Sequence, residues 1–212
     1  MKKNLTELVF ILDKSGSMAG LEADTIGGYN ALLAKQKKAE GEAIVTTILF
    51  NHEIDLLHDR INLGGIAPIS EVDYEVGGTT ALLDAIGFGI QKISKAQKHT
   101  IEKERATKVL FVITTDGMEN ASREFNYSKV RTLIEKHKKL GWEFMFLGAN
   151  IDAIATAEKF GIEEDRAVTY HADSVGTQKN FEAVHEAVAN FRGNRRMDGW
   201  KQHIEEDFKE RK

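Results

Sequence analysis

The stretch Val9-Phe10-Ile11-Leu12-Asp13-Lys14-Ser15-Gly16-Ser17-Met18 indicates both the fold class and a candidate site. It begins with apolar residues, β-branched and aromatic among them, which is typical of a buried strand. It then changes to a carboxylate, two hydroxyls and a glycine. Such oxygen groups at the end of a buried strand are costly unless a ligand uses them, and a hard cation such as Mg²⁺ prefers oxygen ligands. The stretch therefore predicts a strand that ends at a cation site.

The composition is that of one globular domain with a well-developed core. Of the 212 residues, 42% are hydrophobic, and the formal net charge is −4. This charge argues against a general attraction to nucleic acid or to a membrane surface. The chain has no cysteine, which excludes disulfides, thiolate metal ligands and cysteine nucleophiles. No apolar run has the length of a signal-peptide core or of a membrane span, so we expect a cytoplasmic protein with no membrane partner.

Strand-like and helix-like segments alternate along the chain. Strands are predicted at residues 8–12, 43–50, 53–63, 109–114, 143–147 and 167–170. This alternation favours an α/β fold, with a doubly wound, mostly parallel six-stranded sheet and helices on both faces. Segment 53–63 follows a tight turn and alternates apolar with polar residues, which indicates one antiparallel strand at an edge of the sheet.

Three polar loops have the composition of a cation site. They are Asp13-Lys14-Ser15-Gly16-Ser17, Gly77-Gly78-Thr79 and Thr115-Asp116-Gly117. In a doubly wound sheet, ligands bind beyond the carboxyl ends of the strands, where the strand order reverses. If strands 8–12 and 109–114 are neighbours there, Asp13 and Asp116 emerge at one edge and Thr79 reaches them from the adjacent loop. Three hydroxyls and two carboxylates, completed by water, suit an octahedral oxygen site.

These loops resemble those of a von Willebrand factor type A domain with a metal-ion-dependent adhesion site. The matching motifs are Asp-x-Ser-x-Ser at 13–17, Gly-Gly-Thr at 77–79 and Thr-Asp-Gly at 115–117, and the resemblance covers residues 5 to 190. It implies a Rossmann-like fold in which three hydroxyls bind the metal and two carboxylates act partly through water or through those hydroxyls. The residues so assigned are Asp13, Ser15, Ser17, Thr79 and Asp116.

The resemblance also implies a cofactor, a partner and a function. The cofactor would be Mg²⁺, with Mn²⁺ or Ca²⁺ as alternatives, and the threonine ligand would be Thr79 rather than Thr80. Neutral hydroxyls donate little charge, so the metal stays electrophilic and favours an anionic oxygen at its open position. In this family that oxygen is an Asp or Glu side chain of a protein partner, such as an ATPase or another component of a multiprotein machine. The implied function is a metal-dependent protein-binding module and not an enzyme.

Two other functions fit parts of the sequence. A Mg²⁺-dependent hydrolase or phosphoryl-transfer enzyme would also place two carboxylates at strand ends. The sequence, however, has no P-loop, no Asp-x-Asp pair, no nucleophile elbow and no clear general base in the three loops. An RNA-associated protein would need a larger basic surface than Arg192, Arg195 and Arg196 offer, so we expect no nucleic-acid partner. A simple strand-to-helix turn with capping residues would explain the first loop but not the matching Asp116 loop.

The last residues are predicted to form a separate element. Residues 1–192 are assigned to the type A domain. In residues 193–212, Trp200, Ile204 and Phe208 recur at every fourth position, which predicts an amphipathic helix capped by Asp198. This helix is expected to pack on the domain or to be available to a partner. Lys14 and Glu119, by contrast, are expected to face solvent.

Overall fold

Residues 5–211, the part that the computed structural model describes, form one six-stranded sheet. The strands are β1 (Leu5–Asp13), β2 (Glu42–Phe50), β3 (Ile54–Asn62), β4 (Lys108–Thr115), β5 (Glu143–Ala149) and β6 (Ala167–Tyr170). Their order across the sheet is β3-β2-β1-β4-β5-β6. The β2–β3 pair is antiparallel and the other pairs are parallel. The predicted doubly wound α/β fold with one antiparallel edge strand is confirmed.

Helices cover both faces of this sheet. Within residues 5–211 they are α1 (Glu22–Lys37), α2 (Leu82–His99), α3 (Tyr127–Lys138), α4 (Ala153–Phe160), α5 (Ser174–Arg192) and α6 (Gln202–Glu210). One buried apolar cluster contains residues of α1, α5 and α6, and a second contains residues of α2, α3 and α4. Each face of the sheet therefore has its own core. In the described part of the chain, no helix is long and apolar enough to cross a membrane.

Strand β1 lies at the centre of the sheet, and its side chains alternate between the two cores. Leu8, Phe10 and Leu12 belong to the cluster that contains α1, α5 and α6 (the α1–α5 core). Val9 and Ile11 belong to the cluster that contains α2, α3 and α4 (the α2–α4 core). All five are at most 1% exposed. A parallel strand that is buried on both faces needs a continuous apolar run, and this is the run that precedes Asp13.

The strand order reverses between β1 and β4. From β1 the chain moves outward to β2 and β3, and it then returns to β4 on the other side of β1. Leu12 lies opposite Thr114 of β4, and Asp13 lies opposite Phe50 of β2. The carboxyl ends of β1 and β4 therefore open side by side, so the loops after them meet at the position where doubly wound sheets bind ligands.

Helix α5 begins earlier than the apolar spacing predicts. The apolar spacing predicts a helix over residues 178–191, whereas the helix starts at Ser174. The reason is a cap, since the carboxylate of Asp173 accepts a hydrogen bond from the N–H of Gly176 (2.8 Å). Apolar periodicity does not detect such a start, because the first turn of α5 is mainly polar or glycine.

The C-terminal segment packs on the domain. Trp200 and Ile204 are 5% and 2% exposed and lie in the α1–α5 core. Trp200 also donates a hydrogen bond from Nε1 to the carbonyl oxygen of Asp165 (2.9 Å). These contacts join the segment to the sheet, while its availability to a partner stays a prediction.

The helix in this segment is shorter than predicted. It begins at Gln202 without a side-chain cap, so Trp200 lies before it rather than on it. Asp198, the expected cap, instead forms an ion pair with Arg196 (2.9 Å). An ion pair between neighbouring exposed side chains thus replaces the predicted cap.

Candidate metal centre

The carboxylate of Asp13 is buried at the end of β1, where it is 1% exposed. Its Oδ1 accepts a hydrogen bond from the N–H of Ser15 (2.7 Å), and its Oδ2 accepts one from Oγ1 of Thr115 (2.5 Å). Burial raises the pKa of Asp13 to about 6, while the hydrogen bonds from Thr115 and Ser15 oppose this rise. Asp13 therefore joins the end of β1 to the end of β4.

Ser15, Ser17 and Asp116 form a chain of oxygen atoms beside Asp13. Ser17 Oγ donates a hydrogen bond to Asp116 Oδ1 (2.5 Å), and Ser15 Oγ lies 3.1 Å from Ser17 Oγ. Ser15 and Asp116 are buried, whereas Ser17 is exposed. Burial raises the pKa of Asp116, and the hydrogen bond from Ser17 opposes that rise. The structure thus brings together the predicted residues of the loops after β1 and β4.

The geometry around Gly117 shows which threonine faces this chain. A Cβ atom on Gly117 would lie 2.9 Å from Thr80 Oγ1 and 3.0 Å from Ser17 Oγ. Thr80 is 3% exposed, whereas Thr79 is exposed to solvent. The structure therefore places the buried hydroxyl of Thr80 beside Gly117 and Ser17, while Thr79 is exposed, and the choice of Thr79 or Thr80 as a metal ligand stays a prediction. The motif did not reveal that the turn at Gly78, whose φ is 76°, leaves the first threonine outside and the second inside.

One buried oxygen of the site has no partner. Among residues 5–211, Oδ2 of Asp116 is buried without a hydrogen bond. An unpaired buried acceptor costs on the order of 1–3 kcal/mol, and more if it is charged. This oxygen belongs to a cluster with the hydroxyls of Ser15, Ser17 and Thr80. Carboxylate and hydroxyl oxygens are donors that a hard divalent cation accepts, so the residues present fit such an ion.

Within residues 5–211, a metal site at this place would depend on hydroxyl oxygens as well as on carboxylates. Within the described residues, no group of three or more His, Asp or Glu side chains is arranged to hold a metal ion. The oxygen cluster instead combines two carboxylates with serine and threonine hydroxyls.

Backbone hydrogen bonds join the loop after β1 to the loop that carries the two threonines. The N–H of Gly16 donates to the carbonyl oxygen of Gly78 (3.0 Å), and the N–H of Gly77 donates to that of Lys14 (2.9 Å). The buried hydroxyl of Tyr74 donates to the carbonyl oxygen of Asp13. These contacts fix the distance between the serine and threonine hydroxyls.

Asn51 supports the threonine loop from the end of β2. Its side-chain Nδ2 donates to the carbonyl oxygen of Gly77 (2.8 Å), and its backbone carbonyl oxygen accepts from the N–H of Ala81 (2.7 Å). The ring of the next residue, His52, packs on Gly78 so closely that a Cβ there would overlap it. The sequence indicated only a tight turn at residues 51–52. Residues 51 and 52 directly follow β2, the strand beside Asp13, and this position is the sequence feature that could have indicated their role.

Glu119 ties the Asp116 loop to the start of α2. Its Oε2 accepts hydrogen bonds from the N–H of Leu83 and from Oγ of Ser122 (both 2.8 Å), and its Oε1 accepts from the N–H groups of Ala121 and Ser122 (3.0 and 2.8 Å). The expectation that Glu119 faces solvent was wrong. The first N–H groups of a helix need acceptors, and a carboxylate is stabilised there.

Two positively charged side chains outside the candidate centre join parts of the fold. Lys14 forms an ion pair with Asp55 of β3, and its side chain is only 12% exposed, so it does not face solvent as expected. Arg192 is 4% exposed and donates hydrogen bonds to the carbonyl oxygens of Gln36 (2.6 Å) and Gly41 (2.7 Å) at the end of α1. Arg192 is therefore not part of a surface that could contact RNA.

Solved structures share this architecture. A von Willebrand factor type A protein from Catenulispora acidiphila aligns over 87% of this chain with a TM-score of 0.56 and 13% identity. This chain has a von Willebrand factor type A fold. The same type A fold aligns with the D319A mutant of the PilB minor pilin from Streptococcus sanguinis over 88% of this chain (TM-score 0.59, 14% identity). It also aligns with proximal thread matrix protein 1 from the mussel byssus, solved with a zinc-occupied MIDAS motif, over 87% of this chain (TM-score 0.58, 13% identity).

The likeness to these proteins is one of fold. This chain spans 42% of the Catenulispora chain, 62% of the pilin and 46% of the mussel protein. No family model and no curated protein matches the sequence. This likeness does not show what this chain binds.

Proposed function

We propose that this chain is a metal-dependent protein-binding module. A divalent cation, Mg²⁺ first and Mn²⁺ or Ca²⁺ as alternatives, would be held where the loops after β1 and β4 meet the loop before α2. The residues that would hold it are Asp13, Ser15, Ser17, Thr80 and Asp116. When bound, the cation supplies a Lewis-acidic position for an Asp or Glu carboxylate of a protein partner.

The unpaired Oδ2 of Asp116 is the observation that carries this proposal. It is the buried acceptor of the site that no group between residues 5 and 211 satisfies. A cation would satisfy it and would also oppose the burial that raises the pKa of Asp13 and Asp116. The mussel protein with a zinc-occupied MIDAS motif supports a divalent cation in general terms.

The side chains at the site favour binding over catalysis. Both carboxylate oxygens of Asp13 already accept hydrogen bonds, from Ser15 and from Thr115, so Asp13 is poorly placed to act as a general base. Neutral hydroxyls leave the positive charge on the cation, which suits the retention of an anionic side chain. We therefore propose a non-enzyme.

The location and the partner are further parts of the proposal. A cytoplasmic protein that docks an ATPase, or another component of a multiprotein machine, agrees with the sequence resemblance. The partner would present a carboxylate from Asp or Glu. Loss of that carboxylate should abolish the interaction, whatever the rest of the partner contributes.

Isothermal titration with MgCl₂ and MnCl₂, after removal of metals with EDTA, tests the metal centre. We expect saturable binding by the wild-type protein and loss of binding in Asp116→Ala. Glu124→Ala is the matched control, since it removes an exposed carboxylate from the same loop. Equal metal binding by wild type and Asp116→Ala would contradict the proposal.

Docking is tested separately, with a fluorescent peptide that carries a single Asp. Polarisation should rise in Mg²⁺ or Mn²⁺ and fall with EDTA, and the same peptide with Asn should not bind. Turnover of a phosphate ester that disappears in Asp13→Asn would support the hydrolase instead.

A further inference from the structure

Two exposed glutamates lie in the loops that border the candidate metal centre on the side of β2, and these loops form its rim. Glu53 is exposed, and its N–H donates a hydrogen bond to Oδ1 of Asn51 (2.8 Å). Asn51 in turn holds Gly77 of the threonine loop through Nδ2 (2.8 Å). Glu53 therefore lies in the turn whose Asn51 side chain is bonded to this loop.

A second exposed glutamate, Glu75, lies in the segment that precedes the two threonines. Glu75 lies between two residues that are bonded to the loop after β1. Tyr74 donates its hydroxyl to the carbonyl oxygen of Asp13, and Gly77 donates its N–H to that of Lys14 (2.9 Å). Glu75 is therefore held next to the loop that carries the two serines.

The cation in the loop after β1 does not balance these two charges. Lys14 lies in the loop after β1, but its ammonium group is paired with Asp55 and its side chain is 12% exposed. A further cation, Arg123, stands beyond the Asp116 loop and is bound through its backbone N–H to Asp84 of α2 (2.8 Å). Within residues 5–211, Glu53 and Glu75 therefore carry negative charges that no ion pair offsets.

An apolar side chain lies on the other side of the centre. Met118 follows Gly117 directly and is 76% exposed. Gly117 itself faces the hydroxyls of Thr80 and Ser17. Met118 therefore offers an exposed apolar side chain directly beside the candidate metal centre.

We propose that the partner's metal-binding Asp or Glu is flanked by Lys or Arg side chains that contact Glu53 and Glu75. This inference rests on the proposed function, and it specifies the chemistry of the partner. The charge balance supports it, because a divalent cation offsets only Asp13 and Asp116. An incoming carboxylate then meets the uncompensated charges of Glu53 and Glu75, unless the partner brings cations with it. Met118 provides the adjoining apolar contact.

The effect is electrostatic and depends on salt. Exposed charges interact over a Debye length, which is about 8 Å at physiological ionic strength. Opposite charges at the rim of an interface favour the right partner, and like charges disfavour the wrong one. Each rim charge thus selects between partners that present the same carboxylate to the metal.

Four labelled peptides of equal length test the proposal, with central sequences Lys-Asp-Lys, Gln-Asp-Gln, Glu-Asp-Glu and Lys-Asn-Lys. Binding to the full chain is measured by polarisation in MnCl₂ at low and high NaCl, and again in EDTA. We expect Lys-Asp-Lys to bind about tenfold more tightly than Glu-Asp-Glu at low salt, with a smaller ratio at high salt. Lys-Asn-Lys should not bind.

A charge reversal gives the matched control. The ratio should fall to about one or invert in Glu53→Lys/Glu75→Lys. It should persist in Glu104→Lys, an exposed glutamate shortly before the start of β4, at the amino ends of the parallel strands. Manganese titration of all variants shows that the centre is intact.

The outcomes separate the two proposals. Metal-dependent binding of Gln-Asp-Gln with no preference for Lys-Asp-Lys would overturn the inference and leave the proposed function standing. A preference that survives the double charge reversal would also overturn the inference. Failure of every Asp peptide to bind in a metal-dependent manner would overturn both.

Discussion

The two threonines after Gly78 differ in what their side chains reach. The hydroxyls of Thr80 and Ser17 both lie beside Gly117, whereas Thr79 faces solvent. We therefore predict that Thr80→Val weakens Mn²⁺ binding by at least about tenfold, as expected for the loss of a group that holds or orients a metal. Thr79→Val, a change of the same size one residue earlier, should leave the affinity near that of wild type. Titration calorimetry decides between them, and the opposite ranking would support the assignment made from the motif.

The carboxylate of Asp13 opposes folding when no metal is bound. Its pKa rises from 3.8 to about 6 in the folded chain, so its contribution to stability is greatest below pH 4 and is lost as the pH rises through 6. A shift of this size corresponds to about 3 kcal/mol at neutral pH. We predict that Asp13→Asn raises the free energy of unfolding at pH 7.5 in EDTA by about 1–3 kcal/mol.

Urea unfolding in EDTA at pH 4.5 and at pH 7.5 checks this prediction. The difference between wild type and Asp13→Asn should shrink at pH 4.5, because Asp13 is then largely protonated. Added Mg²⁺ should stabilise wild type but not the variant. An Asn variant that is equally destabilised at both pH values would show that the carboxylate itself supports the fold.

Helix α1 contains adjacent glycines with opposite environments. A Cβ on Gly27 would meet open space, whereas a Cβ on Gly28 would overlap the ring of Phe181 from α5. We predict that Gly27→Ala stabilises the fold by about 0.5–1 kcal/mol through helix propensity. Gly28→Ala should destabilise it by about 1–3 kcal/mol, because α1 and α5 must separate. Chemical denaturation followed by circular dichroism measures both, and equal effects would mean that α1 and α5 do not pack as closely as the structure shows.

The apolar pattern of the sequence predicts the strands but not the side chains that cap the helices. The apolar runs located the strands, because a buried parallel strand is apolar on both faces. The caps at Asp173 and Glu119 were not predicted, since each depends on where a carboxylate lies relative to free N–H groups. Asn51 was missed for the same reason. Its contacts with Gly77 and Ala81 join segments that are distant in sequence.

For the whole molecule, the C-terminal segment decides whether the chain unfolds as one unit. Trp200 is 5% exposed within the α1–α5 core. We predict that Trp200→Ala destabilises the whole chain by about 3–5 kcal/mol and that unfolding remains a single transition. His203→Ala, at a side chain that is 80% exposed, should change stability by less than about 0.5 kcal/mol. A main transition unchanged by Trp200→Ala would indicate that residues 193–212 are separate from the domain.

The sequence by itself determined the α/β class, the antiparallel edge strand and the two loops that end buried strands. These features follow from local composition, because apolar runs must be buried and polar loops must end them. Only the tertiary structure decided that β1 and β4 are neighbours, that Thr80 and not Thr79 is buried beside Gly117, and that Asp116 retains an unpaired oxygen. Those facts depend on strand order and on hydrogen bonds between residues far apart in the chain. Residues 9–18 thus predict a cation site, but which of the two threonines lies near it depends on the turn at Gly78.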